Sequence, residues 1–454
     1  MTKRNKLLTM LLFLFSTMAA QPPQKWSLKD CIDYSIEHNI RLKQNKLTLE
    51  ESEIDVKSAK AALFPNLSFS TSHNGRYKPY FEDGNGSFIT DDDTGGSRVS
   101  SSRDHFSYSG SYGLNAGVTL FNGGKNWRNI RMQRLNSDIA RLSIEEQENT
   151  LKEEIATLFV QILYSSEAIN VNTAAVESAR KNLESGEAKY EVGKISNSEI
   201  IELKSQLHSA EYQLVNSQAQ LANYKLQLKQ LLEITDGREM EIIAPDGADA
   251  LALAPLSPVE KAYNAALSQR PEIESSRLST HSAELSLKQA KSGYFPTLSL
   301  NAGAGTSHND GSDNNLGHQM KYNLSFSVGL SLSIPIYDNR SNRSNIQKAK
   351  LQHQSSLLQE SDARKQLYST IEGLWQDANS AQKRFVAARS SVESAEASYA
   401  LLSEQFTLGL KSATDLLTGR NTLLSARQEL LQAKYTAILS NQLLNFYMGG
   451  NILF

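Results

Sequence analysis

Between residues 106 and 120 the chain alternates strictly: Phe106, Tyr108, Gly110, Tyr112, Leu114, Ala116, Val118 and Leu120 hold the even positions, and only Ser, Gly, Asn and Thr stand between them. The same rhythm runs from Tyr322 through Leu324, Phe326, Val328, Leu330, Leu332 and Ile334 to Ile336. It also follows two Phe-Pro pairs, as Leu67 and Phe69 after Phe64-Pro65, and as Leu298, Leu300, Ala302 and Ala304 after Phe295-Pro296. Successive side chains of a strand point to opposite faces, so the pattern predicts four strands within about 65–121 and 296–337, each apolar on one side and small and polar on the other. Such strands suit a barrel wall in lipid with a wet lumen; a soluble sandwich with one buried face gives the same rhythm. In the barrel reading four strands are too few, because transmembrane barrels begin at about eight. An open edge in lipid would leave backbone groups unpaired at several kcal/mol each. The barrel must then be shared between copies of the chain.

The remaining pattern is helical and unusually long. No proline interrupts Gly124 to Tyr190 or Arg340 to Phe406, and an unbroken helix of that length would run about 100 Å. Beyond Gly193 and Gly409, return helices carry apolar residues every seven positions: Ile200, Leu207, Leu214, Leu221, Leu228, and Leu416, Leu423, Leu430, Ala437, Leu444. That spacing implies left-handed coiled-coil packing. Small residues such as Ala174, Ala175, Ala179, Ala387, Ala388 and Ala395 let partner helices approach closely. The stripe Gln206, Gln213, Gln220, Gln227 fits a water-filled bore or a solvated outer face equally well.

These two patterns occur twice. At an offset of 231, Ser27–Leu42 falls on Pro258–Ile273 and Phe64-Pro65 on Phe295-Pro296; beyond that the offset is 216, pairing Phe121 with Tyr337 and Gly193 with Gly409. The shortening is assigned to the polar loop after the first strand, a change a surface loop tolerates. An internal period sets the architecture, so the chain divides into a first repeat, 21–255, and a second, 256–454, after a segment 1–20. Proline has no amide proton and biases the residue before it away from the α region. Phe64-Pro65 and Phe295-Pro296 are therefore the expected junctions where a helix stops and a strand starts.

Lys3, Arg4 and Lys6, then the apolar run Leu7–Phe15, then the mainly small residues Ser16–Ala20 have the order of a secretory signal peptide, with cleavage expected near Ala19 or Ala20. Removing three cations from a net charge of −2 leaves about −5 without a basic run, which gives nucleic-acid binding no electrostatic support. Cys31 is the single cysteine and answers to Ala262 in the repeat, so it reads as a small buried side chain. The eight histidines form no ligand set of the His-Glu-x-x-His kind, and no phosphate loop follows a strand. No cofactor, metal or catalytic residue is expected. The acidic stretches at 91–93 and 308–314 lack the spacing of an EF-hand and read as outer loops, with weak calcium or lipopolysaccharide bridging as the functional alternative.

The leader, the paired Phe-Pro strands and the matched turns "VGKISNSEIIEL" and "LGLKSATDLLTG" together resemble the TolC-like outer-membrane efflux protein family, over almost the whole mature chain. The resemblance implies a mainly α fold with a β-barrel part. Three subunits pool twelve strands in one outer-membrane barrel, and twelve helices continue it as a periplasmic tunnel. It implies the segment "ITDGREMEIIAPDGADALALAPLS" as the tunnel's waist, and as partners two sister chains, a periplasmic membrane-fusion adaptor, an inner-membrane pump and outer-membrane lipid. It places adaptor docking at the two tips, where Gly193 and Gly409 suit a left-handed turn and Ser196 and Ser412 a helix cap. It places a gate there too. Lys411 answers to an arginine of relatives, Asp415 to a ring acid, and Glu199 with Ser198 to the arginine's partners; a second ring acid falls at Thr418 and a latch tyrosine at Phe406. These departures imply one acidic ring and a weaker latch. Three functions follow: a passive duct exporting drugs or other small toxic compounds, a duct for secreted proteins, or a non-conducting periplasmic scaffold.

Overall fold

The computed structural model describes residues 25–77, 106–235, 240–244, 247–310, 312 and 314–452. The leader and the acidic stretch at 91–93 lie outside them. The helices are α1 (Leu28–His38), α2 (Ile40–Ala61), α3 (Lys125–Glu191), α4 (Asn197–Leu231), α5 (Ala248–Ala252), α6 (Val259–Gln269), α7 (Pro271–Lys291), α8 (Leu316–Tyr322), α9 (Ser341–Leu408) and α10 (Ala413–Tyr447). The strands are β1 (Lys25–Trp26), β2 (Asn66–Tyr77), β3 (Phe106–Phe121), β4 (Glu241–Ile242), β5 (Thr297–Asn309) and β6 (Ser325–Ser333). The two offsets read from the sequence carry the ends of α1, α2, α3 and α4 onto those of α6, α7, α9 and α10 to within one residue. The long helices are unbroken over 67 and 68 residues.

Two compact units emerge, and each draws on both repeats: Met1–Thr48 with Ala140–Ser276 and Gln359–Phe454, and Leu49–Ile139 with Arg277–Leu358. The first is helical. Its main core joins Trp26, Leu28 and Cys31 to Leu151, Ile155 and Phe159 of α3, Leu228 of α4 and Ile438 of α10. Cys31 and its repeat partner Ala262 are both fully buried. The heptad positions face inward: Ile200, Leu228, Leu416, Leu423, Ala437 and Leu444 are buried, and Leu207 and Leu214 pack on Val176, Ala179 and Ala210. The linker between repeats is anchored by parallel pairing of β4 with β1 and by Gln382 and Asn441, whose side-chain amides donate to the Ala254 carbonyl at 2.6 and 3.1 Å. Arg270 ties α6 and α7 to α3, donating to Glu272 at 2.8 Å and Glu153 at 3.3 Å, with its guanidinium 4.0 Å from the Tyr447 ring.

The second unit is an antiparallel sheet, β2-β3-β5-β6, with helical segments at its base. Helix α2 ends at Ala61 and β2 begins at Asn66; α7 and a 3₁₀ turn, Ser292–Tyr294, end before β5 at Thr297. Phe64-Pro65 and Phe295-Pro296 occupy those two breaks, with Phe64 and Phe295 exposed. At the return, Gly123 and Gly124 take φ of 65° and 78°, and their repeat partners Asn339 and Arg340 take 51° and 67°. The second copy thus holds a left-handed turn without glycine, at about 1–2 kcal/mol for a residue such as arginine.

Two strand expectations need correction. The register of β3 on β5 slips between Thr119 and Phe121, so Phe121 rather than Leu120 continues the apolar row. Such a bulge is how a strand bends at a barrel rim. The last strand is shorter than its alternation: Tyr322 ends α8, which Asn315 caps by accepting from His318 N, and β6 stops at Ser333, before Pro335, which has no amide to extend the ladder.

Candidate functional site

Strand register turns the alternation into a surface. Across the four strands the aligned rows read Phe69, Leu114, Ala304, Phe326 and Leu67, Ala116, Ala302, Val328. Val118, Leu300 and Leu330 continue the same face, as do Phe121, Leu298 and Leu332. The intervening rows are Ser68, Asn115, Gly303, Ser327 and Asn66, Gly117, Asn301, Gly329. One face is therefore apolar across all four strands and the other is small and polar. The apolar side chains of the edge strands are not covered, with Leu67 69% exposed, Phe69 67%, Phe326 78% and Val328 79%, and those of β5 are half-buried. Contiguous exposed apolar surface of this kind marks a face with another medium or partner against it. Arg76 is the one charged residue in β2, β3, β5 and β6.

One end of this face is aromatic. His73, Tyr108, Tyr112 and His308 form ring contacts with centroids 5.4–6.2 Å apart, and His73 bridges the Tyr108 and Thr71 hydroxyls at 2.9 and 3.1 Å. Amphipathic rings at the margin of an apolar band are how barrels meet a lipid–water boundary. The sheet's outer edges are β2 and β6. Where β6 no longer reaches along β5, α8 takes its place. The Gln319 amide accepts from Asn309 N at 2.9 Å and donates to Asn309 O at 3.0 Å, completing a strand's hydrogen bonds with a side chain.

The two helix tips are near copies. In the first, Gly193 has φ 70° and Lys194 N donates to Lys189 O at 2.8 Å; in the second, Gly409 has φ 77° and Leu410 N donates to Gln405 O at 2.9 Å. Each is a Schellman-type stop that the left-handed glycine permits. Each next helix opens with a capping box, Ser196 with Glu199 and Ser412 with Asp415. Glu199 accepts from Ser196 N at 2.8 Å and Oγ at 3.0 Å, and Asp415 from Ser412 Oγ at 2.9 Å and N at 3.2 Å. Hydrogen bonds from the cap serine hold both carboxyls below their ordinary pKa, and the Thr414 hydroxyl donates to Glu202 Oε2 across the tips at 3.4 Å.

The expected gate residues are thus brought together in part. The hydrogen bonds of Glu199 go to Ser196 of its own tip, the second tip is reached by Glu202 through Thr414, and among the described residues Lys411 has no ion pair. Ser198 and Thr418 are exposed, with the Thr418 hydroxyl donating to Thr414 O at 2.9 Å. Phe406 is 2% exposed and packs with Leu203, Ala413, Leu416 and Leu417. Sequence reasoning missed Lys189. Its ammonium lies 3.6 Å from the Phe406 ring centroid and donates to the Phe406 carbonyl, joining the first hairpin to the second. Burial lowers its pKa. Among the described residues no helix is long and apolar enough to cross a membrane.

Known proteins share this arrangement. The model of the outer membrane efflux protein family matches residues 31–233 and 262–450, once in each repeat. The chain is 24% identical to outer membrane protein TolC of Escherichia coli over 332 residues, 70% of this chain and 64% of that protein. It therefore aligns with just under two thirds of that relative's length. It is also 24% identical to the alkaline protease secretion protein AprF of Pseudomonas aeruginosa over 396 residues, 86% of this chain and 77% of AprF. In fold it resembles the crystal structure of CusC, with a TM-score of 0.79 at 17% identity, covering 93% of this chain and 92% of that one. The twice-matched family model, the repeat and the two-faced sheet agree: the chain belongs to the outer membrane efflux protein family.

Proposed function

We propose that three copies of this chain form a passive exit duct in the outer membrane, which receives drugs or other small toxic compounds from an inner-membrane pump through a periplasmic adaptor. The observation that carries this is the in-register apolar face of β2, β3, β5 and β6, exposed and free of charge. Lipid is the medium that tolerates such a face, and lipid forbids the open edges β2 and β6. Because the four strands alternate in direction, β6 of one copy meets β2 of the next antiparallel, so rings of whole copies close without a parallel pair. Twelve strands from three copies are the smallest such ring to exceed the eight-strand minimum with room for a bore.

The tips serve as the gate and the adaptor contact in this reading. Lys189 over Phe406 and Thr414 on Glu202 hold the two hairpins of one copy together, and Asp415 of each copy forms a single acidic ring. Like charges near an axis favour cations. Asp415→Asn should lower cation preference in single-channel recordings, and Lys411→Ala should open the pore more often; unchanged selectivity or an equally closed channel removes the corresponding part. Likeness to AprF favours a second reading, export of proteins. A deletion strain separates the two: hypersensitivity to drugs or metals with normal secreted protein supports efflux, and the reverse result supports secretion.

A further inference from the structure

Helix α10 carries a cation for which the described residues supply no counter-charge. Arg420 is 3% exposed. Its Nη2 donates to the Ala175 carbonyl at 2.9 Å, while Nε and Nη1 are buried without a partner. Burying a charge whose hydrogen bonds are unmade is costly, and desolvation already draws the Arg420 pKa below its ordinary value. Arg420 stands in the wall of a cavity of about 290 Å³ bounded by Val171 and Ser178 of α3, Glu396 and Tyr399 of α9 and Arg427 of α10. That is roughly ten times one water's share of the liquid. The one carboxylate in the wall is occupied, because Glu396 Oε1 accepts from Arg427 at 2.6 and 3.1 Å. The Tyr399 hydroxyl is likewise engaged, with Ser178 at 2.7 Å and Asn182 at 3.1 Å. The lining therefore carries one positive charge with no counter-charge among the described residues, and two of its nitrogens are enclosed by protein without a hydrogen-bond partner.

We propose that this cavity is a binding site for a small oxyanion, such as phosphate, sulfate or a short carboxylate, held by Arg420. The planar fork of a guanidinium matches two oxygens of such an anion. The bound ion links α10 and α9 of the second hairpin to α3 of the first. This site stands independently of what the duct exports.

The test uses the full-length protein in detergent, with helix melting followed by circular dichroism in sodium chloride, sulfate, phosphate or acetate at matched ionic strength. Sulfate and phosphate strengthen burial in any protein, so the quantity read is the wild-type response minus that of Arg420→Met, which keeps the side chain's length and removes the charge. A saturable rise confined to the wild type is expected; at ten times the dissociation constant, one bound anion multiplies the folding equilibrium about 11-fold. Arg180→Met, on the exposed side of α3, should keep the response. Equal responses in wild type and Arg420→Met overturn the site. Isothermal titration of phosphate into the wild-type protein gives a reading that does not depend on the variant folding: one site per chain supports the proposal, and heat of dilution alone overturns it.

Discussion

Ala302 and Asn301 are neighbours in β5, so a lysine at either meets the same backbone and differs only in the face it enters. Ala302 lies in the apolar row with Leu67, Ala116 and Val328, and Asn301 in the polar row with Asn66, Gly117 and Gly329. Alanine gives up little apolar area when replaced, so the cost of Ala302→Lys is almost wholly that of placing an ammonium in hydrocarbon, about 2–4 kcal/mol near a bilayer midplane and about 0–1 near its surfaces. At 1.36 kcal/mol per tenfold, that is about a 30- to 1000-fold loss in the inserted population. Asn301→Lys faces a wet lumen and should cost under about 1 kcal/mol. Phe106→Lys, at the aromatic end of the same apolar face, should lose little from its charge. The assay is folding into vesicles titrated with urea, read by protection of the strands from protease. A sandwich core would penalise lysine on the apolar face without regard to depth. Equal costs at 301 and 302, or no fall from 302 towards 106, would refute the lipid-facing wall.

The helical unit gives further tests. Arg270 has a side chain only 10% exposed between Glu153 and Glu272; Arg270→Ala strands two carboxylates and should cost about 3–5 kcal/mol in denaturant unfolding, and a loss below about 1 kcal/mol would show the network to be dispensable. Burial raises the Glu153 pKa, so the folded state holds that proton more tightly than the unfolded chain. Its penalty is absent below the ordinary carboxylate range and grows as pH rises through the raised value; the wild type should therefore gain in melting temperature relative to Glu153→Gln on acidification from pH 7 to about 5, and a falling difference contradicts the burial. Desolvation pushes the Cys31 thiol up to about 12, so an aromatic disulfide reagent should label the native protein many-fold more slowly than the urea-unfolded chain; comparable rates would place Cys31 at the surface. Ser412→Ala removes a hydroxyl that both caps α10 and binds Asp415, at about 1 kcal/mol, and an unchanged melting curve would make that capping box idle.

What was legible in the sequence is what repeats. Helix ends, the Phe-Pro breaks, the heptad core and the burial of Cys31 follow from spacing and from comparison of one copy with the other, because each is fixed by local periodicity or backbone geometry. Features peculiar to one copy were not legible. Helix α8 replaces strand only because Gln319 can complete the edge of β5, a pairing with no period. The slip at Leu120 shifts the apolar row by one residue, which composition does not announce. Arg420 answers in the repeat to Lys204, which is exposed and paired with Glu187 at 3.5 Å; only packing distinguishes the buried cation from the solvated one. The tip residues were found by position, while their contacts were not. A capping box claims Glu199 and Asp415 for their own helix starts, and the link across the tips falls to Lys189, whose repeat partner is the neutral Gln405.

The most direct test of the shared barrel is the native mass of the detergent-solubilised mature protein by mass spectrometry. A sheet that presents an apolar face and two open edges predicts a complex of three chains that survives removal of the detergent shell in the gas phase. A single chain, stable and folded at the same concentration, would contradict it.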